Sequence, residues 1–259
     1  VCSSDLAWLE IMTLLDAQWK NGMIPHIVFR HDDPDYFPGP TIWDTNTNPA
    51  TSGHSQPPVL ASIIWRFVNT GTEYDKRKAI EVFPRVMAYY RWFINARDPD
   101  NRGIVSIIHP WVSGCNNCPD WDIGMQNIVI PGNLKRYKRR DTYHVDSDQR
   151  PTQEQYDRYI TIVDFGRKCN WNSQTIHAKG PFLMADPGVQ FIFLRASRDL
   201  LATALHLEID SAVDEIRGWI EQVESGSDFL WNDVIGGYCA RDLRTGQFSD
   251  AITNASMRS

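Results

Sequence analysis

The amino-acid sequence predicts an all-α protein. Apolar residues recur at helical spacing over long stretches, and loops rich in Gly, Pro, Asn and Asp separate those stretches. Runs that alternate with a period of two are almost absent. Such a succession of long element, loop and long element suits a barrel of helical hairpins, a bundle or a solenoid. No internal repeat distinguishes among them.

The elements follow in order. Residues 7–20 (AWLEIMTLLDAQWK) carry the first helical pattern, and Asn21-Gly22 stops it. Residues 31–53 form a long loop that keeps aromatics, including Tyr36, Phe37 and Trp43; long loops of this kind are more often functional than plain linkers. Pro57 and Pro58 suit the entrance of a helix over 59–70. Residues 73–97 read as one long helix, with Ile80, Phe83, Val86, Met87, Tyr90 and Phe93 as its apolar stripe. A turn at 98–103 and a short apolar run at 104–108 come next. Further helices are predicted at 152–169, 186–206 and 210–225, the second opened by Asp186 as a cap with Pro187 in its first turn. Near the end, residues 238–241 and 247–249 flank a Thr-Gly turn and predict a small hairpin.

The chain has 259 residues, enough for one large domain or two small ones with a substantial core. Hydrophobic residues make up 42% and charged residues 22%, an ordinary globular profile. The net charge of −6 and the lack of a long basic run argue against a nucleic-acid partner. No apolar run is long enough to span a bilayer, so no membrane role is expected. Cys2, Cys115, Cys118, Cys169 and Cys239 are odd in number and scattered, which argues against a disulfide framework. Cys115 and Cys118 form a C-x-x-C pair, but a zinc site needs further ligands at suitable spacing, and a thioredoxin-like site needs a βαβ setting. No metal and no cofactor are expected.

Residues 109–122 (HPWVSGCNNCPDWD) crowd two indoles, an imidazole, two amides and two carboxylates into one short stretch punctuated by Gly and Pro. A helix built to hold a core does not need this mixture. It suits a polar ligand with flat faces: indoles cover the C–H faces of a sugar, while amides and carboxylates bind its hydroxyls. A small-molecule carbohydrate is therefore the expected partner.

The same stretch resembles the HPW-x-SG-x-DN-x-P-x-WD segment of the mannosylglycerate and glucosylglycerate hydrolases, glycosidases with an (α/α)6 barrel. The resemblance covers nearly all of residues 17–255. It includes YFPGP-x-IW at 36–43, TSG-x-x-QPP at 51–58, R-x-DT-x-HVD at 139–146, and RPT and YDRY at 150–152 and 156–159. It implies a partial toroid of helical hairpins over residues 7–257, truncated at both ends. Residues 1–6 resemble the translated end of a sequencing adapter, with a natural helix N-terminus as the other reading. The cytoplasm is the favoured setting, although no address in the sequence fixes it.

The resemblance also implies an inverting mechanism. One carboxyl group protonates the leaving oxygen while another, about 6.5–9.5 Å away, activates water on the opposite face. The acid falls at position 116 and the base is a Glu on a later hairpin that this sequence does not include. Position 116 is Asn, which has no proton to give. Three readings follow: a one-base error in an Asp codon, an inactive homologue that still binds sugar, or takeover of the acid role by Asp120. Error or inactivation is preferred to takeover. Val112 is a second departure, because many relatives have Glu there. The residues implied to face the ligand are Tyr36, Trp43, Gln56, Trp111, Asn117, Trp121, Asp122, Arg140 and His144. An anion role for Arg139 or Arg140 would suit the glycerate carboxylate, with solvated surface charge as the plainer reading. The function expected is that of a glycoside hydrolase acting on a small α-glycoside; the alternative is a catalytically inactive carbohydrate-binding homologue.

Overall fold

The structure, a computed structural model, describes residues 3–257 apart from Asp32, Pro34 and His144. The first half contains α1 (Ser3–Leu15), β1 (Val28–Phe29), α2 (Pro40–Trp43), β2 (Ala50–Thr51), α3 (Leu60–Thr70), α4 (Glu73–Arg97), β3 (Ser106–Ile107) and α5 (Asp122–Met125). The second contains α6 (Gln153–Lys168), α7 (Ser173–Lys179), β4 (Met184–Ala185), α8 (Pro187–His206), α9 (Val213–Gly226), β5 (Trp231–Asn232), β6 (Gly237–Tyr238), β7 (Arg241–Asp242) and α10 (Asn254–Met257). The predicted all-α class is borne out, and each described strand is only two residues long.

Helix α4 matches its predicted span. Its start is fixed by a reciprocal cap: the Thr72 side chain accepts from the third helical N–H, and Asp75 accepts from the Thr72 N–H at 2.7 Å. Trp8 Nε1 donates to the other Asp75 oxygen at 2.8 Å, which ties α1 to this end. The predicted apolar stripe needs one correction, since Ile80 is 51% exposed. It lies one turn before Pro84, which sits inside the helix on the solvent side. Pro84 cannot donate to the Ile80 carbonyl, and water satisfies that carbonyl only on an outer face.

Helix α1 begins at Ser3 and ends at Leu15, so both boundaries differ from the predicted 7–20. The Arg85 guanidinium reaches in from α4 and binds the Leu15 carbonyl. Gln18 then bridges the Gly22 and Arg85 carbonyls at 2.8 and 2.9 Å. These bonds replace a further helical turn, although the apolar spacing continues.

The core lies where α3, α4, α8 and α9 pack together. Phe93 of α4 stacks on Phe193 of α8 with ring centres 5.4 Å apart, and both are fully buried. Burying one such ring contributes on the order of 1.5–3 kcal/mol. Gln190, inside α8, joins the layers: its oxygen accepts from Val105 N–H at 2.7 Å, and its nitrogen donates to the Gly103 carbonyl at 2.7 Å and the Val223 carbonyl at 3.2 Å. Strand β4 pairs antiparallel with β3 on one side and β7 on the other. The predicted hairpin is present, with Ser249 N–H on the Ala240 carbonyl and Asp242 N–H on the Gln247 carbonyl, both at 2.8 Å. Helix α7 was not anticipated; it is short and buries only Ile176.

Candidate active site

The central stretch folds as two 3-10 turns joined by an exposed loop. The first, Pro110–Ser113, is capped by the His109 ring, which accepts from Trp111 N–H at 2.9 Å. Accepting at Nδ1 leaves the proton on Nε2, which donates to the Tyr159 carbonyl at 3.2 Å. Gly114 takes a left-handed conformation at φ 74°, which turns the chain out toward the cavity. The second turn, Pro119–Trp121, returns the chain to the core. Trp121 Nε1 donates to the Cys115 carbonyl at 2.8 Å, and Tyr159 OH donates to the Asn116 carbonyl at 2.9 Å. The loop is therefore held by indole and phenol groups while the amides of Asn116 and Asn117 stay exposed.

Those amides line a cavity of about 190 Å³ together with Tyr36, Trp43 and Trp111. The same hollow is bounded by His26, Asp141, Arg150, Tyr156 and Tyr159. A second cavity of about 310 Å³ adjoins it and shares Asn117, Arg150 and Tyr159; Trp121 and Asp122 line this neighbour. Seven of the predicted site residues, Tyr36, Trp43, Trp111, Asn116, Asn117, Trp121 and Asp122, thus fall into two touching compartments.

Other predicted residues lie elsewhere. Gln56 does not line either compartment; its amide donates to the Trp111 carbonyl at 3.1 Å, a supporting role. Arg140 is paired with Asp35 at 2.8 Å and packs over Tyr143, also outside both compartments. Arg139 clasps Asp141 through two bonds of 3.0 and 2.6 Å while lying over the Tyr156 ring. Asp120 is completely buried, with one oxygen accepting from the Cys118 thiol at 2.7 Å and the other unpartnered among the described residues. His144 lies outside the described residues. Cys115, Cys118, Cys169 and Cys239 are free thiols.

Trp43 is fully buried, so it forms the back wall of the cavity. Its indole N–H donates to the Pro38 carbonyl at 3.0 Å, and its own carbonyl accepts from Trp171 Nε1 at 2.9 Å. Trp171 has a left-handed backbone, φ 55°, and lies against Gly53 and Gly166, where any Cβ would meet its ring. Its role was not legible in the sequence, because nothing local to residue 171 points to the loop around residue 43. Arg150 was also missed as a site residue, though it stands in the matched RPT motif. It lines both compartments and spends its Nε on the Asp141 carbonyl at 3.0 Å.

The electrostatics separate the titratable groups. Burial raises the Asp141 carboxyl, but the Arg139 bonds and charge and the nearby Arg150 outweigh it, holding it below its ordinary value. Burial, reinforced by the charges of Asp120 and Asp250, pushes Asp122 above its ordinary value. Burial lowers His109 to about 3 and His26 to about 4. His54, packed 4.9 Å from His109, is also pushed well below its usual range, by burial first and then by His109, Arg97 and His26, any of whose charges would oppose a proton on it. These imidazoles stay neutral near pH 7. Among the described residues no group of three or more His, Cys, Asp or Glu side chains is arranged to hold a metal ion.

A helical domain carrying a cavity of amides, indoles and phenols beside a guanidinium suits a protein of the glycoside hydrolase class. The family described as mannosylglycerate hydrolase MGH1-like glycoside hydrolase domain matches residues 1–258, and the chain belongs to it. It is 40% identical over 246 residues to a mannosylglycerate hydrolase of Thermus thermophilus, covering 93% of this chain and 59% of that protein. It is 38% identical over 254 residues to mannosylglycerate hydrolase MGH1 of Selaginella moellendorffii, covering 96% of this chain and 51% of that protein. The crystal structure of a GH63 mannosylglycerate hydrolase from Thermus thermophilus in complex with Tris and D-glycerate superposes with a TM-score of 0.92 at 38% identity, over 98% of this chain and 61% of that one. The partial toroid of hairpins follows from this match. The chain spans only about half to three-fifths of the length of these relatives.

Proposed function

We propose that this chain forms the sugar- and glycerate-binding part of a hydrolase for a small α-glycoside, mannosylglycerate or glucosylglycerate. The observation that carries the proposal is the pair of touching compartments, one bounded by Asn116, Asn117, Trp111 and Tyr36, with Arg150 at their junction. The amides suit sugar hydroxyls, and the guanidinium suits a carboxylate through its paired N–H groups. Binding of D-glycerate by the Thermus enzyme agrees with that division. Arg150 therefore takes the anion role first given to Arg139 or Arg140, because those two are committed to Asp141 and Asp35.

Chemistry in this family's inverting manner needs a proton donor at position 116, and Asn116 supplies none. Asp120 is a poor replacement: it is buried and lines neither compartment. Asp141 is an equally poor base, since its clasp with Arg139 favours the weakly basic carboxylate. As it stands, the chain binds without turnover, which is the reading of a catalytically silent homologue. Calorimetric titration with mannosylglycerate, glycerate and methyl α-mannoside tests both parts. Saturable binding of mannosylglycerate with no release of mannose is expected. No binding, or release that disappears in Asp120→Asn or Asp122→Asn, would sink the proposal.

A further inference from the structure

Phe37 faces the small cavity on one side and a separate crevice of about 320 Å³ on the other. The crevice runs between residues 131–137, the outer face of α6, and α2. It continues into a second hollow of about 400 Å³ along the same loop. Its lining sets four cations, Lys135, Arg136, Arg167 and Lys168, against the single carboxylate of Asp164. Asp164 is shared by Arg167 at 2.5 Å and Lys168 at 2.6 Å. Among the described residues no carboxylate lies within ion-pair distance of Lys135 or Arg136.

The crevice has a local excess of positive charge in a chain of net charge −6, with Asp157 as the carboxylate of the hollow it runs into. Concave walls of low polarizability focus such a field, and a dianion answers two unpaired cations better than a monocarboxylate does. The floor is aromatic. Tyr137 stacks on Phe37 with centres 4.9 Å apart and planes 5° from parallel, and its hydroxyl is fixed on Asp157. Leu134 and Ile42 complete an apolar wall. The volume suits a small molecule rather than a peptide.

We propose that this crevice binds a phosphomonoester, its phosphate held by Lys135 and Arg136, with Arg167 and Lys168, which share Asp164, adding only to the surrounding field, and its organic group resting on Tyr137 and Leu134. The site is separate from the sugar compartments, so it stands or falls independently of the hydrolase reading. The test is calorimetric titration of the chain with phenyl phosphate, inorganic phosphate and benzoate at constant ionic strength. Phenyl phosphate should saturate, with inorganic phosphate weaker by at least about threefold and benzoate weaker still. The double substitution Lys135→Ala and Arg136→Ala should lower phenyl phosphate affinity by roughly tenfold or more, the loss of two charge-assisted contacts. Both side chains are exposed, and unchanged thermal unfolding would exclude misfolding. Arg217→Ala, on α9, should leave binding unchanged. Non-saturable heats, or equal affinity in the double variant, would overturn the proposal. Equal affinity for both phosphates would overturn the assignment of an ester and leave inorganic phosphate as the ligand.

Discussion

At Arg150 a single guanidinium serves two compartments, and its removal should divide ligands by chemistry. Arg150→Ala should weaken binding of mannosylglycerate by about tenfold or more, since hydrogen bonds to a charged group contribute ~1.5–3 kcal/mol. Methyl α-mannoside, which has no carboxylate, should bind the variant about as well as the parent; parallel titrations check this. The buried histidines make a second prediction. His26 and His109 have folded-state values near 4 and 3, against about 6.5 for an unfolded chain. Between those values the unfolded chain holds more protons, so stability is full above about pH 6.5 and declines as pH falls toward 3. The slope approaches about 1.4 kcal/mol per pH unit for each histidine in its window. Urea titrations at pH 7.0 and 5.0 should show a lower midpoint at the acidic value, and coincident curves would contradict this account. The sequence exposed the residue types at 109–122 but not their direction. Gln56 and Asp120 carry suitable chemistry and turn away from the cavity, a choice made by Trp111 and Cys118 as partners.

Gln190 and Gly103 decide how the helical layers join. Gln190→Leu keeps the volume but strands the Val105 N–H and the Gly103 carbonyl in the core, at a cost of about 1–3 kcal/mol for each group left unsatisfied. Chemical denaturation should show a loss of at least about 2 kcal/mol. Gly103→Ala should do comparable damage, because φ is +71° and its Cβ would fall 1.9 Å from the Gln222 carbonyl oxygen. Helices α3, α4, α6 and α8 were legible within one residue or so at either end, because apolar period agrees there with a local start signal, Pro57-Pro58 for α3 and the capping residues Thr72, Thr152 and Asp186 for the others. Helix α1 was misplaced because Arg85 and Gln18 act on its end from positions that periodicity does not register. Helix α7 escaped because it has too few buried residues to show a period.

Over the whole molecule, one continuous apolar core runs from Trp8 to Ala240 and includes residues of every long helix. Unfolding should therefore be a single cooperative step. Far-ultraviolet and near-ultraviolet dichroism should report the same midpoint, the second through the tryptophans around the cavity. Two separated midpoints would mean that the cavity walls and the helical layers unfold independently. The all-α class was legible from the pattern of elements alone, whereas the toroid needed the family likeness, since helical period does not say how hairpins close. Among the described residues no helix is long and apolar enough to cross a membrane.

The small sheet has a consequence in time. Residues 106–107, just ahead of the capped turn at His109, are pinned by residues 184–185, which are pinned in turn by 241–242. On a ribosome that builds the chain from the N-terminus, the loop carrying Asn116 emerges long before its last stitch. The turn that leads into the cavity loop is thus tied down by distant parts of the chain that line neither compartment.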